Sequence, residues 1–461
     1  MGRSRVAFVA VCAAALVCAG GSTAAQARTA AAQELTITVS GGVQLSCGLV
    51  LPLGSPPAGG WPGLLLFHGL GQSHTTMEQI ALAAFAPAGF ASLACDAPGT
   101  GASGGTFGLD GPTDVQDARD LFDWLAARSD VSDTAIGAFG LSLGGGLVWN
   151  AAAAGVPFKA IVPSITWTDL SSALAPDGIP KSGSIAQLAQ VIPFANWDPS
   201  LTQARTDLLA GNVTAAVTAA SVARSARPRL HTLAVPTLLL QGRHDFLFDI
   251  DQARAAYNLL AGPKYLYLGD LGHPPAANPA DEESTYLGLA VAWFAHYLAG
   301  GPGAPTGVEL AHDPWNDTTK TYAALPKSRL ASVNLPGTTK LKPSGFVTRS
   351  ARLTGGPFQT FGDGYVSVRY SGASRWSRLV ASVSVKGHSI PVTEGAAPVT
   401  AAAGVVKIPL MDESVPLPRG KALVVTIGAT SKDKVFATAA PSGASIRIGR
   451  VTAALSLLKS R

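Results

Sequence analysis

Charge is sparse in this chain. Of its 461 residues 14% are Asp, Glu, Lys or Arg and 47% are hydrophobic, which excludes a disordered polyampholyte and leaves ample material for a large core. Cysteine is scarcer still, with four in all, so the fold is no disulfide-dense scaffold. Neither C-x-x-C nor H-E-x-x-H occurs, and no metal or cofactor is expected from motif spacing. Beyond the N-terminus no run looks transmembrane. The basic residues are scattered among strand-like runs without interleaved aromatics, which excludes nucleic acid as an expected partner.

What is present begins with an export signal. Arg3 and Arg5 precede the apolar run "VAFVAVCAAALVCAG", and Ala25-Gln26-Ala27 offers a small-x-small cleavage site. Residues 1–27 therefore read as a signal peptide, with a secreted, extracytoplasmic product. The run is shorter than the ~20 residues a membrane span needs. Cys12 and Cys18 leave with the signal, and Cys47 and Cys95 remain in two strand-like runs. A disulfide between them and a pair of buried thiols are both open readings.

The net charge of +5 conceals a division. Between Arg28 and Gly303 there are 12 Lys and Arg against 21 Asp and Glu; from Ala304 to Arg461 there are 20 against 8. An acidic part and a basic part suggest separate domains. The basic part is a candidate for contact with an anionic cell envelope, or simply a solvated surface.

Hydrophobic patterning gives the architecture. "PGLLLFHG", "FASLACDA", "AIGAFGLS", "KAIVPSITW", "PTLLLQGRHD" and "KYLYLGDLGH" are near-continuous apolar runs, as in strands covered on both faces. Between them lie amphipathic segments such as "DVQDARDLFDWLAAR". The alternation predicts an α/β fold with a doubly wound, mostly parallel sheet over residues 28–303. Residues 168–234 are too long for a connection and carry helix-like stretches, which predicts a helical cap. After "GGPGAPTG", a linker by composition, residues 304–461 show short β runs between turn signals and predict a jelly-roll-like, all-β sandwich.

Within this frame Gly140-Leu141-Ser142-Leu143-Gly144 fits G-x-S-x-G, the pattern that sets a serine on a sharp strand-to-helix turn. Serine needs a base to take its proton and an acid to orient that base. In this topology the acid follows a later strand and the histidine follows the next. Asp245 ends "PTLLLQGRHD" and His273 ends "KYLYLGDLGH". The rivals His68, His74, His231, His244, His296, His312 and His388 fall elsewhere, and Asp249 and Asp251 open the following helix. Oxyanion donors are expected from the amides of Leu143, which follows the serine, and Leu70, in "FHGLGQ".

Taken together, "LLLFHGLGQS", "CDAPGTGASGG", "GAFGLSLGGG", "LLLQGRHDFLFD" and "GDLGH" resemble the α/β-hydrolase superfamily over about 240 residues. With the cap before the acid and a β-sandwich after the last helix, the chain resembles the Xaa-Pro dipeptidyl-peptidase-like and cocaine-esterase-like group. The resemblance implies a serine hydrolase of esters, amides or prolyl peptides, and assigns nucleophile, acid and base to Ser142, Asp245 and His273. The chain departs from that group where Leu143 replaces the usual tyrosine after the nucleophile and Pro98 a usual arginine. A prolyl dipeptidase also needs an acid for the substrate's free amine, and only Asp169 and Asp177 in the cap are on offer. The expected activity is hydrolysis of carboxylic esters, with Trp149, Trp167, Leu170, Phe194 and Phe246 as apolar surroundings for an acyl chain. The expected partner is thus a small ester, or a short peptide on the alternative of an X-Pro peptidase. A non-catalytic envelope-binding protein is the remaining alternative.

Overall fold

Parallel strands with apolar side chains on both faces can be buried only if helices cover both sides of the sheet. The computed structural model, which describes residues 30–437 and 444–458, shows how this chain does so. The expected signal peptide lies outside the described residues. Strands β1 (Ala32–Val39), β2 (Val43–Val50) and β3 (Trp61–Phe67) lead through helix α1 (His74–Ile80) to β4 (Ala91–Cys95). Then come α2 (Pro112–Ala126), β5 (Val131–Leu141), α3 (Leu143–Ala153) and β6 (Ile161–Ser164). Four helices follow: α4 (Leu170–Leu174), α5 (Ser182–Val191), α6 (Thr202–Leu209) and α7 (Ala215–Val222). The chain returns through β7 (Thr237–Gly242), α8 (Ile250–Leu259), β8 (Lys264–Gly269) and α9 (Ala280–Ala299) to β9 (Gly307–Ala311) and β10 (Thr319–Tyr322).

These strands form one ten-stranded sheet in the order β1-β2-β4-β3-β5-β6-β7-β8-β9-β10. From β4 through β9 every neighbouring pair is parallel, whereas β1, β2 and β10 join antiparallel at the two edges. Alternation along β3 shows the double cover. Leu65 and Phe67 pack with Leu121 and Phe122 of α2 and Val148 of α3, while Leu64 and Leu66 pack with Met77 of α1 and Trp293 and Phe294 of α9.

The sheet does not end where composition placed the boundary. Beyond Gly303, β9 pairs with β8 and β10 pairs with β9, so the first unit runs on to Tyr322. The Gly/Pro-rich stretch before β9 works as a turn into the same sheet. Two antiparallel sheets then face each other. One joins Ser328–Leu335, Ile446–Leu458, Gly364–Ser371 and Ala403–Leu410; the other joins Val347–Arg352, Ala422–Gly428, Arg378–Val385 and Thr393–Pro398. Val366, Val368 and Val451 of the first interleave with Leu379, Val383 and Val425 of the second in a single core. Cys47 and Cys95, opposite each other on β2 and β4, form a disulfide.

Candidate active site

A strand-to-helix turn too tight for an ordinary residue is the first element of the site. Ser142 sits between β5 and α3 at φ 52° and ψ −109°, a conformation that a non-glycine residue keeps only where its surroundings impose it. Its N–H donates to the Ser164 carbonyl at 2.9 Å, and its own carbonyl accepts from Thr166 Oγ1 at 2.7 Å and the Gly146 N–H at 3.1 Å. The flanking glycines are demanded by space. A Cβ on residue 140 would lie 2.2 Å from the Gly144 carbonyl oxygen, and one on residue 144 would lie 2.1 Å from that of Phe67.

Ser142 Oγ lies 2.8 Å from His273 Nε2, and His273 Nδ1 lies 2.8 Å from Asp245 Oδ2. Donating the Nδ1 proton to Asp245 leaves the Nε2 lone pair facing the serine hydroxyl, which donates to it. Asp245 is fully buried. Its Oδ1 accepts from the N–H groups of Leu247 and Phe248, and its Oδ2 accepts from both the backbone and the ring of His273. With four donors converging, the carboxyl and the ring it holds have one orientation. Phe248 adds an edge-to-face contact on the His273 ring, centroid to centroid 5.0 Å.

Other predicted residues fall into place or out of it. Leu143 is the first residue of α3, where the N–H has no intrahelical partner. The Leu70 N–H meets no acceptor among the described residues. Both residues line a cavity of about 930 Å³, together with His68, Gln72, Thr76, Gln79, Phe107, Ile192, Phe194 and Asn196. Among the described residues no Asp, Glu, Lys or Arg lines it. His68 is buried, and burial pushes its pKa down. It accepts from the Ala97 N–H at Nε2 and tethers the Leu70 loop at Nδ1 through the Gly69 carbonyl. Asp169 caps α4 through the N–H groups of Ser171 and Ser172, and neither it nor Asp177 lines the cavity. Of the five apolar residues expected around an acyl chain, only Phe194 lines this cavity, at 97% exposure on its rim. Leu170 lines a smaller apolar cavity of about 110 Å³ inside the cap. Trp149 and Trp167 are core, and Phe246 packs against Val380, Met411 and Phe436 of the sandwich.

Two residues escaped the sequence reading. Lys181 of the cap is buried, donates from Nζ to the Leu247 carbonyl at 2.9 Å, and has its pKa lowered by burial against the pull of Asp249, Asp245 and Glu413. Glu413 of the sandwich accepts the Asp245 N–H at 3.1 Å, and burial pushes its carboxyl well up.

Against this geometry, the sequence comparison is decisive. Residues 41–274, half the chain, match the pattern of the X-Pro dipeptidyl-peptidase (S15) family. The chain belongs to that family. It is a serine hydrolase of the esterase or peptidase kind. Three solved structures share the whole architecture, sandwich included. A CocE/NonD family hydrolase from Staphylococcus aureus superposes with a TM-score of 0.70 at 12% identity, over 92% of this chain and 93% of that one. An α-amino acid ester hydrolase gives 0.71 at 15% identity, over 95% and 98%. An aminopeptidase from a marine sediment Thaumarchaeota archaeon gives 0.68 at 14%, over 97% and 99%. A curated relative, an uncharacterized 31.7 kDa Escherichia coli protein of the traX-finO intergenic region, is 32% identical over 109 residues. That stretch is 23% of this chain and spans 38% of the relative's length.

Proposed function

We propose that this member of the family hydrolyses carboxylic esters through an acyl-enzyme on Ser142. The observation that carries the choice of ester is the uncharged lining of the cavity beside Leu143 and Leu70. A dipeptidyl peptidase must hold a substrate ammonium group, and a buried or half-buried ammonium without a carboxylate partner is strongly disfavoured. An ester makes no such demand.

In this reading Ser142 Oγ attacks the ester carbonyl carbon while its proton passes to His273 Nε2. Asp245 holds the imidazole and stabilises the imidazolium. The oxyanion accepts from the Leu143 and Leu70 amides, each worth about 3 kcal/mol in the transition state. His273 returns the proton to the departing alkoxide, so an alcohol leaves. Water, deprotonated by His273, then attacks the acyl carbon, and Ser142 leaves reprotonated with release of the acid. Phe194 at the rim and the apolar cap cavity, whose walls share Leu70 and Ile192 with the larger one, give an acyl chain its surroundings. The reading includes export, supported by the N-terminal signal, and contact of the basic sandwich with an anionic envelope, supported by the charge division.

The test pairs the purified protein with Ser142→Ala on p-nitrophenyl esters from acetyl to palmitoyl, beside Ala-Pro- and Gly-Pro-p-nitroanilide. Ester turnover that disappears in the variant supports the proposal, and its chain-length optimum reports the cavity. Turnover of the anilides instead would overturn it in favour of the peptidase. Silence on both, with no fluorophosphonate label on Ser142, would leave the envelope-binding alternative.

A further inference from the structure

Away from the serine, β1 and α1 bring three potential ligand atoms together. The register of β1 on β2 sets Glu34 opposite Gly48, and His74 and Glu78 are one turn apart on α1, which packs over β2. His74 Nε2 lies 3.2 Å from Glu34 Oε2 and 3.9 Å from Glu78 Oε1, and all three atoms lie within 4.8 Å of one another. Ligands about 2.0–2.2 Å from a tetrahedral zinc stand roughly 3.4 Å apart, so the cluster is close to that spacing before any adjustment.

Three further observations point to a cation. Glu78 Oε1 is buried and has no hydrogen-bond partner, with its side chain only 9% exposed, and it is directed at His74 Nε2 from 3.9 Å, beyond hydrogen-bond reach. Residue 48 is a glycine in a strand, and a Cβ there would fall 1.4 Å from Glu78 Oε1, so the carboxylate fills the space its absence leaves. Asp96 Oδ1 meets His74 Nδ1 at 2.8 Å and also accepts the His74 N–H. This is the outer-shell carboxylate that fixes a metal-binding imidazole, turning Nε2 toward Glu34, to which it is hydrogen-bonded at 3.2 Å, and Glu78. The cluster sets three carboxylates against one imidazole, and none of them forms an ion pair with Lys or Arg among the described residues.

We infer that Glu34, His74 and Glu78 form a divalent transition-metal site, best suited to zinc, with Asp96 as its outer shell and water in the remaining position. The imidazole selects against Ca²⁺ and Mg²⁺, which favour all-oxygen sites. Glu34 is 68% exposed at the side chain, so the site is open to solvent for entry and for the water ligand. A bound ion would tie the edge strand β1 to α1, the helix that follows the Leu70 loop.

The test strips the purified protein with a chelator, then titrates zinc by calorimetry and repeats the titration with cobalt(II) for its visible d–d bands. One ion per chain, micromolar or tighter, and a Tm that rises with zinc are the expected results. Glu34→Gln, at an exposed position, is expected to keep the metal-free Tm and to weaken zinc binding by about tenfold or more. Glu78→Gln is expected to weaken it likewise. Absence of stoichiometric binding, or zinc affinity and Tm response unchanged in Glu34→Gln, would overturn the site.

Discussion

The backbone N–H of Asp245 donates to the side chain of Glu413, 168 residues further along the chain, so the sandwich reaches the acid of the candidate triad. Neighbouring bonds make the junction two-sided. The Ile250 N–H donates to the Asp412 carbonyl, the Ser414 N–H donates to the Arg243 carbonyl, and Arg254 pairs with Asp412 at 2.7 Å. Glu413→Ala strands the buried Asp245 N–H, at about 1–3 kcal/mol, and frees the loop that holds the imidazole. The expected outcome is a fall in ester kcat of about ten- to a hundredfold with KM nearly unchanged. Glu413→Gln keeps an acceptor at the same place and is expected to stay close to wild type. Steady-state kinetics of the two variants check this, and equal losses in both would show that an acceptor at this place is not what Glu413 supplies.

Gly144 offers a second test, one of space alone. A methyl group at 2.1 Å from the Phe67 carbonyl oxygen cannot be accommodated by a side-chain rotation, because both partners are backbone. Gly144→Ala must therefore push α3 away from β3 and displace the Leu143 amide. We expect a loss of about 3 kcal/mol or more of stability and loss of fluorophosphonate labelling at Ser142. Gly288→Ala, on α9 with nothing within 4 Å of the added carbon, is the control and is expected to be neutral or stabilising. Thermal melts and labelling of both variants decide the matter.

These two relationships differ in how strongly the sequence marks them. The meeting of Ser142, Asp245 and His273 is legible because each residue lies just past a strand of a parallel sheet, and parallel topology delivers those ends to one edge. The glycine spacing is legible because a tight turn has a local signature. Glu413 and Lys181 carry no such mark. Glu413 reaches the Asp245 amide from the sandwich and Lys181 reaches the Leu247 carbonyl from the cap, and pairing over that distance in sequence is set by tertiary packing, not by any pattern in "MDESVPLP". Charge composition likewise placed a boundary at Gly303, yet β9 and β10 pair with β8 and with each other. Pairing with an existing sheet edge outweighs local Gly and Pro content. Trp149 and Phe246 suit acyl surroundings by being large and apolar, a property that cannot distinguish core from cavity wall.

The Cys47–Cys95 bond closes a loop of 48 residues around the edge of the sheet. Constraint of the unfolded chain over such a loop is worth about 4 kcal/mol in the chain-entropy model. Both sulfurs lie in the core, so the double substitution to Ala also removes some packing. Cys47→Ala/Cys95→Ala is expected to lose about 2–5 kcal/mol while keeping turnover at temperatures where it stays folded, since neither residue touches Ser142, His273 or Asp245. Denaturant melts with and without reductant test the assignment. Wild type insensitive to reductant even when unfolded would show that the bond is absent.

Asp117 on α2 gives a pH-dependent prediction with a definite sign. It is 5% exposed, close to Asp114 and Asp120, and burial followed by those two like charges raises its pKa to about 7. In the unfolded chain it returns to an ordinary value near 3.8. The folded state therefore holds a proton that the unfolded state releases between those two values, and stability is lost as pH rises through that window. Asn, an isostere of the neutral acid, has nothing to release. Asp117→Asn should match wild type below about pH 4, gain on it steadily, and hold a constant advantage of about 1–3 kcal/mol from about pH 8 upward. Unfolding midpoints at a series of pH values check the shape as well as the size. An advantage that is flat across the series would mean that the gain comes from helix propensity or packing, whereas one that grows toward acid would reverse the sign and refute the burial argument.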